Sequence, residues 1–116
     1  MDRTVFIVQP VKGINILPAQ NFGTPKYVYE GPPVNFNIST VVRTIQKSLK
    51  NAKKGDCLIL VGDPILMALV AIEFYEATEG DFTLLKWDRQ TMTYYPLGVV
   101  YDFHEHHDHS GGKENE

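Results

Sequence analysis

Apolar residues along the chain follow two patterns, which predict strands at some positions and helices at others. Near-continuous apolar runs at Thr4–Gln9 and Cys57–Val61 are typical of strands that are covered on both faces. Apolar residues recur at helical spacing between Asn37, the expected N-cap, and a stop at Gly55, and again over Pro64–Ala77. Helices that alternate with apolar strands imply at least one parallel crossover within a shared sheet.

Three further strands complete the expected sheet. Lys26–Glu30 alternates between apolar and polar residues and is predicted to be a short strand near an edge. The short polar connection between Asp81–Trp87 and Met92–Val100 predicts an antiparallel hairpin, and Pro96 places the last strand at an edge or bulge. We therefore predict a Rossmann-like α/β fold, with a mixed, mostly parallel sheet of about five strands, two helices and a C-terminal antiparallel hairpin. The two apolar runs are expected at its centre.

Two segments outside these elements have a different character. Residues 10–25 contain three prolines and two glycines, which predicts a long, mostly irregular loop packed down by its own apolar side chains. Residues 1–101 are expected to form a single α/β domain, followed by a mobile, acidic, His-rich tail over residues 102–116. We expect adventitious affinity for zinc or nickel in this tail but no functional metal site, because its ligands lack rigid support. The tail histidines are His104, His106, His107 and His109.

The composition is that of an ordinary globular protein, and it indicates the cellular compartment in which the protein acts. The formal net charge of −3 neither favours nor excludes nucleic acid as a partner. The single cysteine, Cys57, lies in an apolar run and is expected to be an inert, buried thiol in a reducing environment. The N-terminal residues lack the features of a signal peptide, and the most apolar helix is too short to span a bilayer. We therefore expect a soluble, intracellular protein without membrane contact.

The turn before the second helix is the first candidate site. Asp63 is the expected N-cap and Pro64 the first helical residue. A helix amino end beside the carboxyl ends of parallel strands favours anions, so an anionic or nucleotide-like ligand is one interpretation. A single glycine is a weak signal and the Asp63 carboxylate repels phosphate, so a plain capped helix start is the favoured alternative. The residues that would face such a ligand are Gln9, Lys12, Gly62 and Asp63.

The second helix is apolar over most of its circumference. Residues 65–77 have two glutamates and one tyrosine hydroxyl as their only polar side-chain groups. A helix that lies on a sheet needs only one apolar stripe, so we predict an isologous homodimer through this helix. The alternative is that the 10–25 loop covers the second face of the helix. The residues assigned to the interface are Leu66, Leu69, Val70 and Phe74.

Two surfaces are candidates for a macromolecular partner. Cations recur at helical spacing on the first helix, and the stretch between Glu30 and Asp56 contains no acidic residue. A solvated helix face is the favoured interpretation of this pattern, and a surface that binds an acidic protein or, less favoured, nucleic acid is the alternative. No aromatic residue interleaves with the cations, so base stacking of the kind that single strands need is unsupported. At the hairpin tip, Trp87 and Arg89 are typical interface anchors, although cross-strand packing of Trp87 with Tyr94 or Tyr95 explains the tryptophan equally well. The cations of the first helix are Arg43, Lys47, Lys50 and Lys54.

Recognisable catalytic motifs are lacking. The sequence contains no paired-histidine motif, phosphate-binding loop or ordered Ser/His/Asp set, and all four histidines fall in the tail. The folded body therefore lacks the commonest general base. We predict a protein that is not an enzyme and needs no cofactor.

Four sequence segments resemble a family of small proteins of unknown function from tailed bacteriophages. They are FIVQP at residues 6–10, FGTPKYVY at 22–29, LILVGDPILMALV at 58–70 and LLKWDRQTMTYYPL at 84–97. The resemblance implies a viral accessory protein that acts in the cytoplasm of the infected bacterial host, and it carries over no functional residue.

These observations lead to two hypotheses of function. The first is a phage accessory protein that binds a host or phage macromolecule, without catalysis, through the basic helix or the hairpin tip. The alternative is a small-ligand module that holds an anionic or nucleotide-like molecule at the strand–helix crevice.

Overall fold

A five-stranded sheet organises the protein in a computed structural model that describes residues 2–34 and 37–101. The elements are β1 (Thr4–Ile7), β2 (Thr24–Tyr27), α1 (Ile38–Ser48), β3 (Cys57–Ile59), α2 (Pro64–Ala77), β4 (Asp81–Asp88) and β5 (Thr93–Val100). The strand order is β2-β1-β3-β4-β5, with four parallel strands and β5 antiparallel to β4. The predicted α/β fold is confirmed, including the interior positions of β1 and β3. The His-rich tail lies outside the described residues.

The direction of each connection determines which face of the sheet it covers. The chain passes from β1 to β2 in one direction and from β2 to β3 and β4 in the other. Right-handed crossovers therefore place the first connection on one face and both helices on the opposite face. The buried side chains form two matching clusters, one of β1 and β3 residues with α1 and α2, the other with Ala19 of the first connection.

The first connection is a packed loop, as the sequence predicts. It contains a short 3-10 helix at Leu17–Asn21, in which Ala19 is fully buried. Ile16 and Phe22 are partly buried against the same face of the sheet. The loop thus supplies the apolar cover that a helix usually supplies in an α/β sheet.

Several predicted boundaries differ from the structure. β1 and β3 end at Ile7 and Ile59, each two residues before the predicted end, and β2 ends at Tyr27 rather than Glu30. β2 begins at Thr24 rather than Lys26; Pro25 is tolerated there because this edge strand pairs with β1 alone. α1 ends at Ser48 instead of continuing towards Gly55, because the chain turns through residues 49–54 to enter the centre of the sheet. Gly55 follows this turn, has φ +87° and does not end the helix.

The second helix keeps its predicted bounds because its start is determined locally. The Asp63 carboxylate accepts a hydrogen bond of 2.8 Å from the Ile65 N–H, and Pro64 occupies the first turn. At the other end, the N–H groups of Glu79 and Gly80 donate to the carbonyls of Glu76 and Tyr75, a Schellman arrangement. None of the helices in the described ranges has the length and apolar character needed to cross a membrane.

A buried carboxylate ties the central strands together at their amino ends. Asp56 is 0% exposed, and its oxygens accept from the Thr4 N–H at 3.1 Å and the Lys53 N–H at 3.0 Å. The Lys53 ammonium lies 3.3 Å from the same carboxylate. Asp56 therefore joins the start of β1 to the turn that leads into β3.

We predict that Asp56→Ala lowers the free energy of unfolding by about 2–4 kcal/mol, because it removes a fully buried side chain and leaves the backbone N–H groups of Thr4 and Lys53 without their acceptor. Urea titration followed by circular dichroism measures the change. Asp88→Ala is the matched control, since Asp88 accepts from Gln90 and Thr91 at the exposed hairpin turn and its loss costs about 1 kcal/mol. Equal losses in the two variants would contradict the proposed role of Asp56.

Candidate functional site

The structure brings together three of the four residues predicted at the strand–helix crevice. The Gln9 side-chain oxygen accepts a hydrogen bond of 2.6 Å from the Asp63 N–H. A Cβ atom on Gly62, whose φ is +106°, would overlap the Gln9 side chain. Lys12 is exposed in the loop that follows β1. Because Gln9 and the Asp63 carboxylate already accept from first-turn N–H groups, the crevice is filled by the protein's own groups where an anion would bind.

The interface residues assigned on α2 need correction. Leu66, Val70 and Phe74 are each 0% exposed within the single chain, and Phe74 packs edge-to-face on Phe6 at 5.7 Å. Leu69 is partly buried against the same core. Leu66, Val70 and Phe74 face the sheet because helix and sheet must bury their apolar stripes on each other, and these three side chains offer no surface to a second copy.

The outer face of α2 is largely apolar in the single chain, with Glu76 exposed one turn after Ile72. Ile65 is 56% and Ile72 is 60% exposed. The alternative that the 10–25 loop covers this face is wrong, because that loop packs on the opposite face of the sheet. The apolar circumference noted in the sequence therefore leaves an exposed patch around Ile65 and Ile72.

The predicted basic face separates into free and paired cations. Arg43, Lys47 and Lys50 are exposed and border a shallow depression of about 550 Å³. Among the described residues, no carboxylate forms an ion pair with these three cations. Lys54 differs from them because its ammonium lies 3.2 Å from Glu79. We call Arg43, Lys47 and Lys50 the basic triad.

The tryptophan at the hairpin tip packs against the neighbouring strand of the hairpin. Trp87 is half-buried and packs edge-to-face on its cross-strand neighbour Tyr94, with 5.0 Å between ring centroids. The Tyr94 hydroxyl donates a hydrogen bond of 3.0 Å to the Asn15 carbonyl, which joins the hairpin to the long loop. Arg89 is exposed in the turn. Of the two predicted cross-strand partners, Tyr94 is the observed one.

Reasoning from sequence missed an apolar cleft of about 540 Å³ between β3 and the hairpin. Leu60, Met92 and Leu97 line it and remain 42%, 63% and 45% exposed. Its position depends on where β3 and β4 separate, which no local pattern encodes. Leu60, which follows β3 and remains exposed, does not differ in the sequence from its neighbours in the apolar run Cys57–Val61, so the sequence carries no distinct signal for the cleft.

The Cys57 thiol is unsuited to nucleophilic chemistry. It is fully buried, and burial is the main cause that raises the pKa of the thiol above its ordinary value, although Arg3 opposes the shift. The thiolate, which is the reactive form, is therefore disfavoured at neutral pH. Within the described residues, no three His, Cys, Asp or Glu side chains are grouped as metal ligands.

Comparison with known proteins gives one relationship. A family model described as "Phage Pam3 gp32-like protein" matches residues 3–101, which include every described strand and helix. No curated protein and no solved structure matches the chain.

We predict that Gly62→Ala lowers the free energy of unfolding by about 3 kcal/mol, because left-handed strain adds to overlap with Gln9. Gly13→Ala is the matched control: Gly13 has φ +85°, and no atom lies within 4 Å of the place that a new methyl group would take. Only strain of about 1 kcal/mol is expected there. In a Gln9→Ala background the overlap is removed, so Gly62→Ala should lower the free energy of unfolding no more than Gly13→Ala does. Urea titration measures both changes. If the larger loss persists, Gln9 does not fill the crevice.

Proposed function

The chain belongs to the phage Pam3 gp32-like family, and we propose that it is a phage accessory protein that binds a macromolecule without catalysis in the cytoplasm of the infected host. The observation that carries this proposal is the basic triad, which is exposed and has no carboxylate partner among the described residues. Unpaired cations grouped on one surface create a local positive potential, although the net charge of the whole chain is −3.

The helix that carries the triad is held firmly. Ile45 and Leu49 of the same segment are 0% and 2% exposed in the core. The Ser48 hydroxyl donates a hydrogen bond of 2.6 Å to the Val28 carbonyl, which attaches the end of α1 to the chain that follows β2. Arg43 and Lys47 lie about 6 Å apart along the axis of α1, since each residue adds about 1.5 Å, and Lys50 lies in the turn that follows the helix. A fixed group of cations can pair with carboxylates on a folded partner.

An acidic protein surface is the partner that this geometry favours. The depression beside the triad is lined by Thr40, Thr44 and Gln46 together with the cations. These side chains donate hydrogen bonds but do not stack on bases, as single-stranded nucleic acid requires. Complementary charge accelerates association and orients the partner, so binding should weaken as salt increases.

Two further parts of the proposal have separate support. The absence of catalysis is supported by the buried Cys57 thiol and by a body, residues 2–101, that contains no histidine in its sequence. A homodimer through the outer face of α2 is supported by the exposure of Ile65 and Ile72.

A small ligand at the strand–helix crevice is the weaker alternative function, because Gln9 occupies the space beside Gly62.

We predict that the triple variant Arg43→Glu/Lys47→Glu/Lys50→Glu captures about ten-fold less, or even less, of an acidic protein partner than the wild type does. The measurement is a pull-down from phage-infected host lysate at low salt. The control Lys12→Glu/Lys86→Glu/Arg89→Glu changes the net charge equally and should retain the partner. Loss in the control alone would assign the contact to the hairpin tip. Retardation of DNA or RNA by micromolar wild-type protein would instead identify nucleic acid as the partner.

We predict that the protein elutes as a dimer in size-exclusion chromatography with light scattering at tens of micromolar, and that Ile72→Glu converts it to a 13.1 kDa monomer. The charged side chain would be buried without a partner in the dimer. Leu17→Glu, at a 65% exposed position on the opposite side of the sheet, should leave the dimer intact. A monomeric wild-type chain under these conditions would refute the dimer.

A further inference from the structure

The sheet opens between β3 and β4, where the pairing of these two strands ends. β3 and β4 pair at Cys57–Thr83 and Leu58–Leu84, and the described pairing ends there. β4 nevertheless continues to Asp88, paired with β5 along its whole length. The hairpin therefore extends past the end of β3, and the apolar cleft lies in the gap between them.

Some backbone N–H and C=O groups face this gap and have no hydrogen-bond partner on the neighbouring strand. The Thr83 N–H donates to the Asp56 carbonyl at 3.0 Å, which shows which residues of β4 point towards β3. By the alternation of a parallel ladder, the next bonds would join the Leu60 N–H to the Leu85 carbonyl and the Trp87 N–H to the Leu60 carbonyl. Because pairing has ended, these donors and acceptors line the opening, and burying them without partners would be costly.

The side chains that line the gap are mostly apolar, and one of them, Lys86, is charged. The apolar side chains of Ile14, Leu60, Met92 and Leu97 remain between 39% and 63% exposed although each lines a concave surface. Trp87 forms part of the wall and is held in place by its contact with Tyr94. Among the described residues that line the cleft, Lys86 is the one charged side chain.

We propose that this cleft binds a small apolar molecule that carries one anionic group. The apolar body lies against Leu60, Met92 and Leu97, while the anionic group pairs with Lys86 and accepts from the backbone N–H groups of Leu60 and Trp87. A volume of about 540 Å³ suits such a ligand, since sites for small molecules occupy roughly 300–1,000 Å³. The site lies beyond the carboxyl end of a parallel strand, where ligands of α/β sheets bind. It is separate from the basic triad and independent of the function proposed for it.

Fluorescence titration with 1-anilinonaphthalene-8-sulfonate, an apolar aromatic anion, tests the site in the full chain. Its neutral analogue, N-phenyl-1-naphthylamine, separates the apolar from the anionic contribution. We expect saturable binding of both probes by the wild type. Leu97→Glu should weaken both about ten-fold or more, because a charge enters the apolar wall. Lys86→Gln should weaken only the anionic probe, by about two- to five-fold, as an exposed ion pair allows.

Leu17→Glu is the matched control for Leu97→Glu, because it places the same charge at an exposed apolar position that does not line the cleft. We expect it to leave both affinities unchanged, and amide shifts in ¹⁵N-labelled protein to centre on Leu60 and Trp87 on addition of the anionic probe. Thermal unfolding of each variant verifies that it is folded. Three results would overturn the proposal: no saturable binding by the wild type, equal losses in Leu97→Glu and Leu17→Glu, or amide shifts that map to α2.

Discussion

The shared handedness of crossovers between parallel strands sets the layout of this protein. β1 lies between β2 and β3, so the chain leaves β1 towards one edge of the sheet and later returns to its other side. With one handedness, the two directions of travel place α1 and α2 on the same face and the first connection on the other. Residues 10–23 must then cover a sheet face without an α-helix, which explains why Ala19 is fully buried in a loop.

The same layout determines where functional surfaces remain available. β3 has three residues and its neighbour β4 has eight, so the hairpin extends beyond the cover that the loop provides. An apolar cleft results at that end, while the free cations of α1 lie on the helical face. The strand–helix turn, in contrast, is closed by hydrogen bonds from within the chain. Candidate function therefore lies on the helix surface and beside the hairpin rather than at the turn.

Local and long-range determinants differ clearly between the two helices. The start of α2 is predictable because Asp63 and Pro64 act on the first turn itself, and the observed helix has the predicted bounds. The end of α1 is not predictable in this way. Its periodic apolar residues continue to Ala52, but the turn that follows Ser48 is stabilised by Asp56, whose partners include Thr4, far away in the sequence. The pairing of Lys54 with Glu79 likewise joins distant segments and removes one cation from the predicted basic face.

The element types, the α/β class, the antiparallel hairpin and the capped start of α2 follow from the sequence, because periodicity and turn chemistry act within a few residues. Tertiary structure alone decided which apolar side chains of α2 became core. Leu66, Val70 and Phe74 face the sheet and Ile65 and Ile72 face outwards, although all five are equally apolar. It also decided that Gln9 closes the crevice and that a cleft opens where β3 and β4 part. These features depend on strand order and on where pairing ends, and both are set by packing between segments that are distant in sequence.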